Sequence, residues 1–299
     1  MLILRLAVYL ILACSNVMLI GQDVAIGSWK SFAPYHNAIA ITQNSQQIFW
    51  ATDLSIIIQE KSDNSVRFIS KENGLSDANI SAIKHSPTDD ALVVVYKNSN
   101  IDLILNGETV NLNFIQTNTN LTGDRSIFNI SFDGNFAYLS TAFGIVELDI
   151  PNAEFRTTIF TGIAVNDTKA WNGALYAATD DGIYIVQNDG SVNTSDFSEW
   201  KRLGALDGFP EDYTADAIAV FNNNLYCSLD NSIYRHEDNT LLDIYSDPGL
   251  TTQYIAPGSS HLIVGYDCGN CTGSVIFIDS EDSVLQAGAN CVARPLGAI

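Results

Sequence analysis

Basic residues are scarce in this 299-residue chain: 14 Lys and Arg face 34 Asp and Glu, a formal net charge of −20. A surface of that sign repels nucleic acid and gives no electrostatic attraction to an anionic membrane. Histidine is equally thin. His36, His85, His236 and His261 are scattered, and no Gly-x-Ser-x-Gly elbow, Walker loop or His-Glu-x-x-His motif occurs. No nucleophile, phosphate cradle or zinc-hydrolase centre can therefore be assembled from the sequence. The paired carboxylates Asp89-Asp90, Asp180-Asp181 and Glu211-Asp212 fall in turns, where Asp ordinarily bonds nearby backbone, and no EF-hand ligand spacing accompanies them. Beyond residue 21 no segment is long and apolar enough to span a bilayer as a helix. These absences point away from an enzyme and from any bound cofactor or metal.

The first twenty-one residues differ from the rest. Arg5 is the only charge before Asp23, and Leu6 to Ile20 are mostly apolar, ending in Gly21-Gln22-Asp23. A basic start, an apolar stretch and a small residue at the cut describe a secretory signal peptide over residues 1–21. Ile11-Leu12-Ala13-Cys14 also resembles a lipobox. The apolar run continues past Cys14, which favours simple cleavage near Gly21 over acylation. Without Arg5, 13 basic residues oppose 34 acidic ones, a net of −21, as suits an exported protein. An anionic partner would then need a divalent cation or a local basic patch. Lys30, Arg67, Lys71, Lys84 and Lys97 are the candidates for such a patch, with ordinary solvated surface charge the preferred reading.

Four cysteines remain after the leader: Cys227, Cys268, Cys271 and Cys291. An even number outside the cytoplasm permits disulfides, in three possible pairings. Cys268-Gly-Asn-Cys271 lies in what reads as a hairpin turn, so a local staple is the simplest pairing. A second zinc knuckle and a helix start for redox chemistry are both missing.

What the chain has in abundance is a recurring turn: a small or acidic residue, Gly, then a bulky apolar residue. Asn73-Gly74-Leu75-Ser76-Asp77, Thr161-Gly162-Ile163, Asp207-Gly208-Phe209-Pro210 and Pro248-Gly249-Leu250-Thr251 carry it, with Asn120-Leu121-Thr122 and Pro295-Leu296-Gly297 as degenerate copies. The apolar members are 46, 42, 46, 41 and 46 residues apart. A period of that length, filled with short alternating strands, predicts an all-β β-propeller with one blade per repeat. Each repeat divides into an inner strand, a central hairpin and a more polar outer strand. The inner strands fall at 38–42, 79–84, 127–132, 163–169, 215–221 and 252–257, and outer strands at 65–70 and 198–203. Six blades are readable in this way. Ser28-Trp29-Lys30-Ser31-Phe32 resembles the outer strand around Glu199-Trp200-Lys201. It supplies a Velcro-type outer strand for a last blade whose inner strand would be Cys291–Ile299. The expectation is a seven-bladed ring cut short, so that residues 22–299 are the front of a longer protein. Trp29, Trp50, Trp171 and Trp200 are read as blade-packing residues in preference to a carbohydrate platform.

At these same residues a family resemblance enters. Ser28-Trp29-Lys30-Ser31-Phe32, Ser70-Lys71-Glu72-Asn73-Gly74-Leu75-Ser76-Asp77-Ala78-Asn79-Ile80, Leu92-Val93-Val94-Val95-Tyr96 and Asn100-Ile101-Asp102-Leu103-Ile104 resemble, in that order, the amino-terminal propeller of the PorZ family. These are accessory proteins of the Bacteroidota type IX secretion system. The resemblance implies a non-catalytic component exposed at the cell surface and associated with the outer membrane. It also implies a sortase and an outer-membrane β-barrel as partners. The implied task is helping deliver anionic lipopolysaccharide to the sortase that anchors secreted cargo. No family binding residue is specific enough to carry over, so Asn73, Gly74 and Leu75 are marked as the structural repeat turn and Cys268 and Cys271 as a possible disulfide. The alternative is the periplasmic ligand-sensing propeller of a hybrid two-component regulator, whose repeats share the Asn-Gly-Leu turn.

Overall fold

In the computed structural model, residues 37–267, 274–288 and 294–295 are described. They form six sheets, five of them four-stranded, antiparallel and built from consecutive strands, and one in which four such strands are joined at the inner edge by a parallel strand from the end of the chain. Blade 1 comprises β1 (Ala40–Gln43), β2 (Gln47–Ala51), β3 (Ser55–Glu60) and β4 (Val66–Ser70). Blade 2 comprises β5 (Ile80–His85), β6 (Ala91–Tyr96), β7 (Ile101–Leu105) and β8 (Glu108–Leu112), and blade 3 comprises β9 (Ile127–Asp133), β10 (Phe136–Thr141), β11 (Gly144–Asp149) and β12 (Glu154–Phe160). Blade 4 holds β13 (Val165–Trp171), β14 (Ala174–Thr179), β15 (Gly182–Gln187) and β16 (Lys201–Arg202). Blade 5 holds β17 (Ala215–Phe221), β18 (Asn224–Leu229), β19 (Ser232–Glu237) and β20 (Thr240–Tyr245). Blade 6 holds β21 (Thr251–Pro257), β22 (Leu262–Asp267), β23 (Ser274–Ile278) and β24 (Val284–Gly288). The protein is a β-propeller with the six blades that the repeat predicted. No helix among the described residues is long and apolar enough to cross a membrane.

Burial explains why the second strands of blades 2 and 4 are almost wholly apolar. Every residue of β6 and of β14 is buried, whereas β4 and β8 are mostly exposed. A central strand covered on both faces by neighbouring blades has no solvent side, so strict polar alternation disappears there. Five apolar cores result, each between consecutive blades. Ile56 packs with Leu92, Val93 with Leu139, Ile145 with Leu175, Ile183 with Leu225, and Ile233 with Val264. A blade cannot bury both faces alone, so its stability is shared with its neighbours.

The hairpin turns account for much of the Asn and Asp. Asn172-Gly173, Asn222-Asn223, Asp230-Asn231 and Asp238-Asn239 each have two successive positive φ values. That is the signature of two-residue type I′ turns, which match strand twist and favour Asn, Asp and Gly.

Two expectations change in detail. The outer strand of blade 4 shrinks from 198–203 to Lys201–Arg202, because Phe197–Glu199 forms a 3₁₀ turn capped by Asp196. A single helical turn, α1 (Phe114–Thr117), also interrupts the strands after blade 2. Of the expected strand over 291–299, Arg294–Pro295 (β25) is described. It pairs in parallel with Ala40 and Ile41 of β1, at the inner edge of blade 1, and also lies against β21 of blade 6. The leader, the Trp29 strand and the Cys268–Cys271 staple lie outside the described residues.

Candidate functional site

The residues marked in the sequence as the repeat turn form a closed hydrogen-bonded unit. The Asn73 and Leu75 amides donate to the Ser70 carbonyl at 3.1 and 2.9 Å. The Asn73 side chain accepts from the Ser70 amide at 2.6 Å and donates to the Phe68 carbonyl at 2.9 Å. Gly74 has φ +152°, and a Cβ there would stand 3.1 Å from Ile69 Cγ2, which gives the glycine its reason. Leu75 then enters the core between blades 1 and 2.

Behind this turn stands a fully buried carboxylate, Asp102 of β7. It accepts from the Ser76 amide at 2.7 Å, from Asn111 Nδ2 at 2.9 Å, and from the Tyr96 hydroxyl. Three donors occupy most of its lone pairs, which makes such a buried charge tolerable. Burial, the bond to Asp102 and its charge push the Tyr96 phenol well above its ordinary range. Asp77 is held below the usual carboxylate range, chiefly by the Asn98 side chain, with Lys71 and the Ala78 amide adding to it against burial. The quoted segments 70–80, 92–96 and 100–104 are therefore parts of one network joining blade 1 to blade 2.

Asn73 and Gly74 also border a cleft of about 360 Å³ between these blades, with Phe49, Arg67, His85 and Asp90 along its walls. His85 stacks on Phe49 with centroids 5.5 Å apart, its Nδ1 lies 2.6 Å from the Ser86 carbonyl, and its Nε2 lies 3.2 Å from Asn44 Nδ2. A second cleft, of about 430 Å³, is bordered by another repeat turn, Gly208-Phe209-Pro210, and by Tyr234 and Leu241.

The expected basic patch is dispersed. Lys71 pairs with Asp77 at 3.1 Å, Lys97 with Asp53 at 2.8 Å, Arg67 lines the first cleft, and Lys84 turns to the inner edge of the ring. Lys30 lies outside the described residues. The turn carboxylates behave as local acceptors. Asp89 takes the Ser86 and Thr88 hydroxyls at 3.3 and 3.0 Å, Asp180 takes Asn166 at 2.9 Å, and Asp181 takes Tyr184 at 2.6 Å. No cluster of metal-ligating side chains occurs among the described residues. Trp200 is buried with Nε1 on the Thr194 carbonyl at 2.9 Å, and Trp171 packs on Tyr176, as packing residues would. Cys227 is a free, buried thiol. Burial pushes its pKa far above the ordinary thiol range, so it is unreactive.

The inner edge holds what the sequence did not point to. The inner strands of blades 2 to 6 form the edges of their sheets, and side chains from the preceding blade cap their backbone groups. Thr42 accepts from the His85 amide at 3.1 Å, Lys84 donates to the Ile130 carbonyl at 2.6 Å, and Asn166 donates to the Ala215 carbonyl at 3.0 Å. Buried Asp167 accepts from Asn129 at 2.7 Å, from the Thr168 amide at 2.8 Å and from the Ile218 amide at 3.1 Å, joining blades 3, 4 and 5. The inner strands of blades 2 to 6 each carry a β-bulge near their start, at residues 81, 128, 166, 216 and 253. A one-residue bulge re-aims the side chains that follow it.

With this geometry in hand, comparison with known proteins is decisive. The family model for the type IX secretion system PorZ N-terminal β-propeller domain matches residues 48–201, which includes the turn, Tyr96 and Asp102. The chain belongs to that family. No curated protein matches the chain by sequence. Among solved structures, PorZ superimposes with a TM-score of 0.74 at 20% identity, covering 91% of this chain and 35% of that one. That PorZ is described as an essential bacterial surface component of the type IX secretion system of Porphyromonas gingivalis. The chain thus spans about a third of the PorZ structure it matches. A chain of the mitotic checkpoint complex (TM-score 0.60, 13% identity, 95% of this chain and 93% of that one) and the RRP9 WD40 repeats (0.58, 12%, 85% and 81%) share the propeller fold alone.

Proposed function

We propose that this chain is the amino-terminal propeller of an accessory, non-catalytic component of the type IX secretion system, exported by residues 1–21 and working at the outer-membrane surface. The observation that carries the reading is the family match over residues 48–201. The matched range includes the buried network around Asp102, which ties the turn between blades 1 and 2 to blade 2. In this reading the propeller is a rigid platform, and partners contact its faces and clefts.

The finer role is assistance in passing anionic lipopolysaccharide to a sortase, in a complex that includes an outer-membrane β-barrel. The chain's acidity bears on how. With 34 acidic against 14 basic residues, a long anionic saccharide is repelled by most of the surface, so contact requires a bridging divalent cation or other domains of the protein. The test is complementation of a strain lacking the gene, comparing the full-length protein with one lacking this propeller, and scoring whether cargo is anchored at the surface or released unmodified. The reading expects surface anchoring to fail without the propeller and the sortase to co-purify with the full-length protein alone. Normal anchoring without the propeller would overturn it.

A further inference from the structure

The cleft between blades 1 and 2 is walled by two facing rows of side chains. Strand register sets Thr42, Phe49, Ile58 and Arg67 side by side across blade 1. Across blade 2 it sets His85, Leu92, Ile104 and Thr109 in the same way. The rows meet at the inner edge, where Thr42 Oγ1 accepts from the His85 amide at 3.1 Å and Phe49 stacks on the His85 ring. Phe49, Ile58 and Leu92 are buried and form an apolar floor. At the outer strands both rows turn polar, with Arg67 on one wall and Thr109 on the other.

Nothing in the fold uses those two polar groups. The Arg67 guanidinium and the Thr109 hydroxyl have no hydrogen-bond or ion-pair partner among the described residues. The next gap is closed at the same level. His85 stands four residues after the bulge of β5, and Phe132 four residues after the bulge of β9. The row from Phe132 runs through Ala137 and Leu148 to Phe155, and Phe114 packs on Phe155 with centroids 5.8 Å apart. Blade 3 thus puts a covered ring where blade 2 has Thr109. Thr109 is too small to fill that place, and about 360 Å³ stays open, a volume within the range of small-molecule sites. The acids at hand stand away from Arg67 or are engaged. Asp90 Oδ1 lies 3.5 Å from His85 Nε2, and Glu60 takes the Gln47 amide group at 2.5 Å. An anionic head is therefore repelled from the His85 end of the cleft and drawn to Arg67.

We propose that this cleft binds a small carboxylic acid with an apolar body. The body rests on Phe49, Ile58 and Leu92, the carboxylate meets the Arg67 guanidinium, and the Thr109 hydroxyl is a second donor. The guanidinium fork matches a carboxylate bidentately. Its single charge balances a monoanion, whereas a phosphate would bring a second negative charge to a chain of net −20. The shared chemistry is an apolar carboxylate, whether a free acid or the last residue of a peptide. The proposal stands independently of the secretion role.

The test is calorimetric titration of the full chain with 3-phenylpropionate, and separately with the peptide acetyl-glycyl-phenylalanine, at fixed ionic strength and pH 7. Saturable binding is expected, weakened at least about tenfold in Arg67→Met and by replacing the acid with its neutral amide, since each removes a charge-assisted contact. Thr109→Phe, which copies Phe155, should fill the cleft and abolish binding. Lys71→Met, which removes a surface amine paired with Asp77, should bind as the unaltered chain does. Arg67 is exposed and has no partner in the fold to lose, so Arg67→Met decides should Thr109→Phe fail to fold. Binding of both probes would assign the site to peptide ends as well as free acids, and binding of one alone to that source. Absence of saturable binding by either probe, equal affinity for the amide, or undiminished binding by Arg67→Met overturns the proposal.

Discussion

Two copies of the repeat turn, one leading into blade 2 and one into blade 5, share a hydrogen-bond pattern and differ in what stands behind it. In the first, the Asn73 and Leu75 amides close on the Ser70 carbonyl and the Asn73 side chain accepts from the Ser70 amide. In the second, the Asp207 and Phe209 amides close on the Gly204 carbonyl at 2.8 and 3.0 Å, and the Asp207 side chain accepts from the Gly204 amide at 3.2 Å. Each apolar residue then plugs an interblade core. Behind the first turn the lock is a charge, Asp102, with three donors. Behind the second it is a neutral phenol: the Tyr213 hydroxyl donates to the Leu203 carbonyl at 2.9 Å and accepts from the Ile183 amide at 3.0 Å. A repeat conserves the local solution, the turn, while its support varies with the neighbouring blade.

The largest effect should come from removing the charged lock. Asp102→Ala leaves the Ser76 amide and the Tyr96 hydroxyl without their acceptor and takes one of three from Asn111, and should cost about 3–5 kcal/mol in denaturant unfolding. A loss below about 1 kcal/mol would mean that the carboxylate holds nothing the rest of the fold does not already hold.

Glycine sharpens the comparison next. A Cβ on Gly208 (φ +83°) would lie 2.1 Å from the Asn239 carbonyl oxygen, whereas one on Gly74 meets only the Ile69 side chain at 3.1 Å. Backbone cannot withdraw as a methyl can, so Gly208→Ala should cost about 2–3 kcal/mol and Gly74→Ala about 1 kcal/mol. Equal melting-temperature shifts for the two would break the distinction. Tyr213→Phe, which deletes the neutral lock and keeps its ring, should cost about 1–2 kcal/mol, less than Asp102→Ala.

The smallest effect is a pH dependence. Burial raises Asp207, but the Lys201 ammonium, the Gly204 amide and the charge of His236 together outweigh it and hold the carboxyl below its ordinary range. A carboxyl depressed in the folded state contributes stability that is present above pH 3.8 and lost as pH falls through the lowered value. Asp207→Asn, which copies Asn73, should therefore reduce the stability lost between pH 5 and pH 2 by about 0.5 kcal/mol. Acid curves that superimpose would remove Asp207 from the account.

How much of this could be read from residues follows the same division. The six blades were legible because alternation, Asn/Asp/Gly turns and the recurring Gly-apolar pair are local signals. Blade 4's outer strand was overdrawn because Asp196 caps a 3₁₀ turn over Phe197–Glu199, a competition that strand propensity does not register. The Asp102 lock was visible only as a string of familiar residues, since nothing local ties Ser76 to a carboxylate twenty-six positions away.

The most direct test of the locking account is native-state hydrogen exchange of the Ser76 and Phe209 amides in the unaltered chain, in Asp102→Ala and in Tyr213→Phe. The account predicts that Asp102→Ala lowers protection of Ser76 at least about tenfold more than that of Phe209, and that Tyr213→Phe reverses the order. Equal loss at both amides in both variants would contradict it, because the two turns would then open together and not by their own locks.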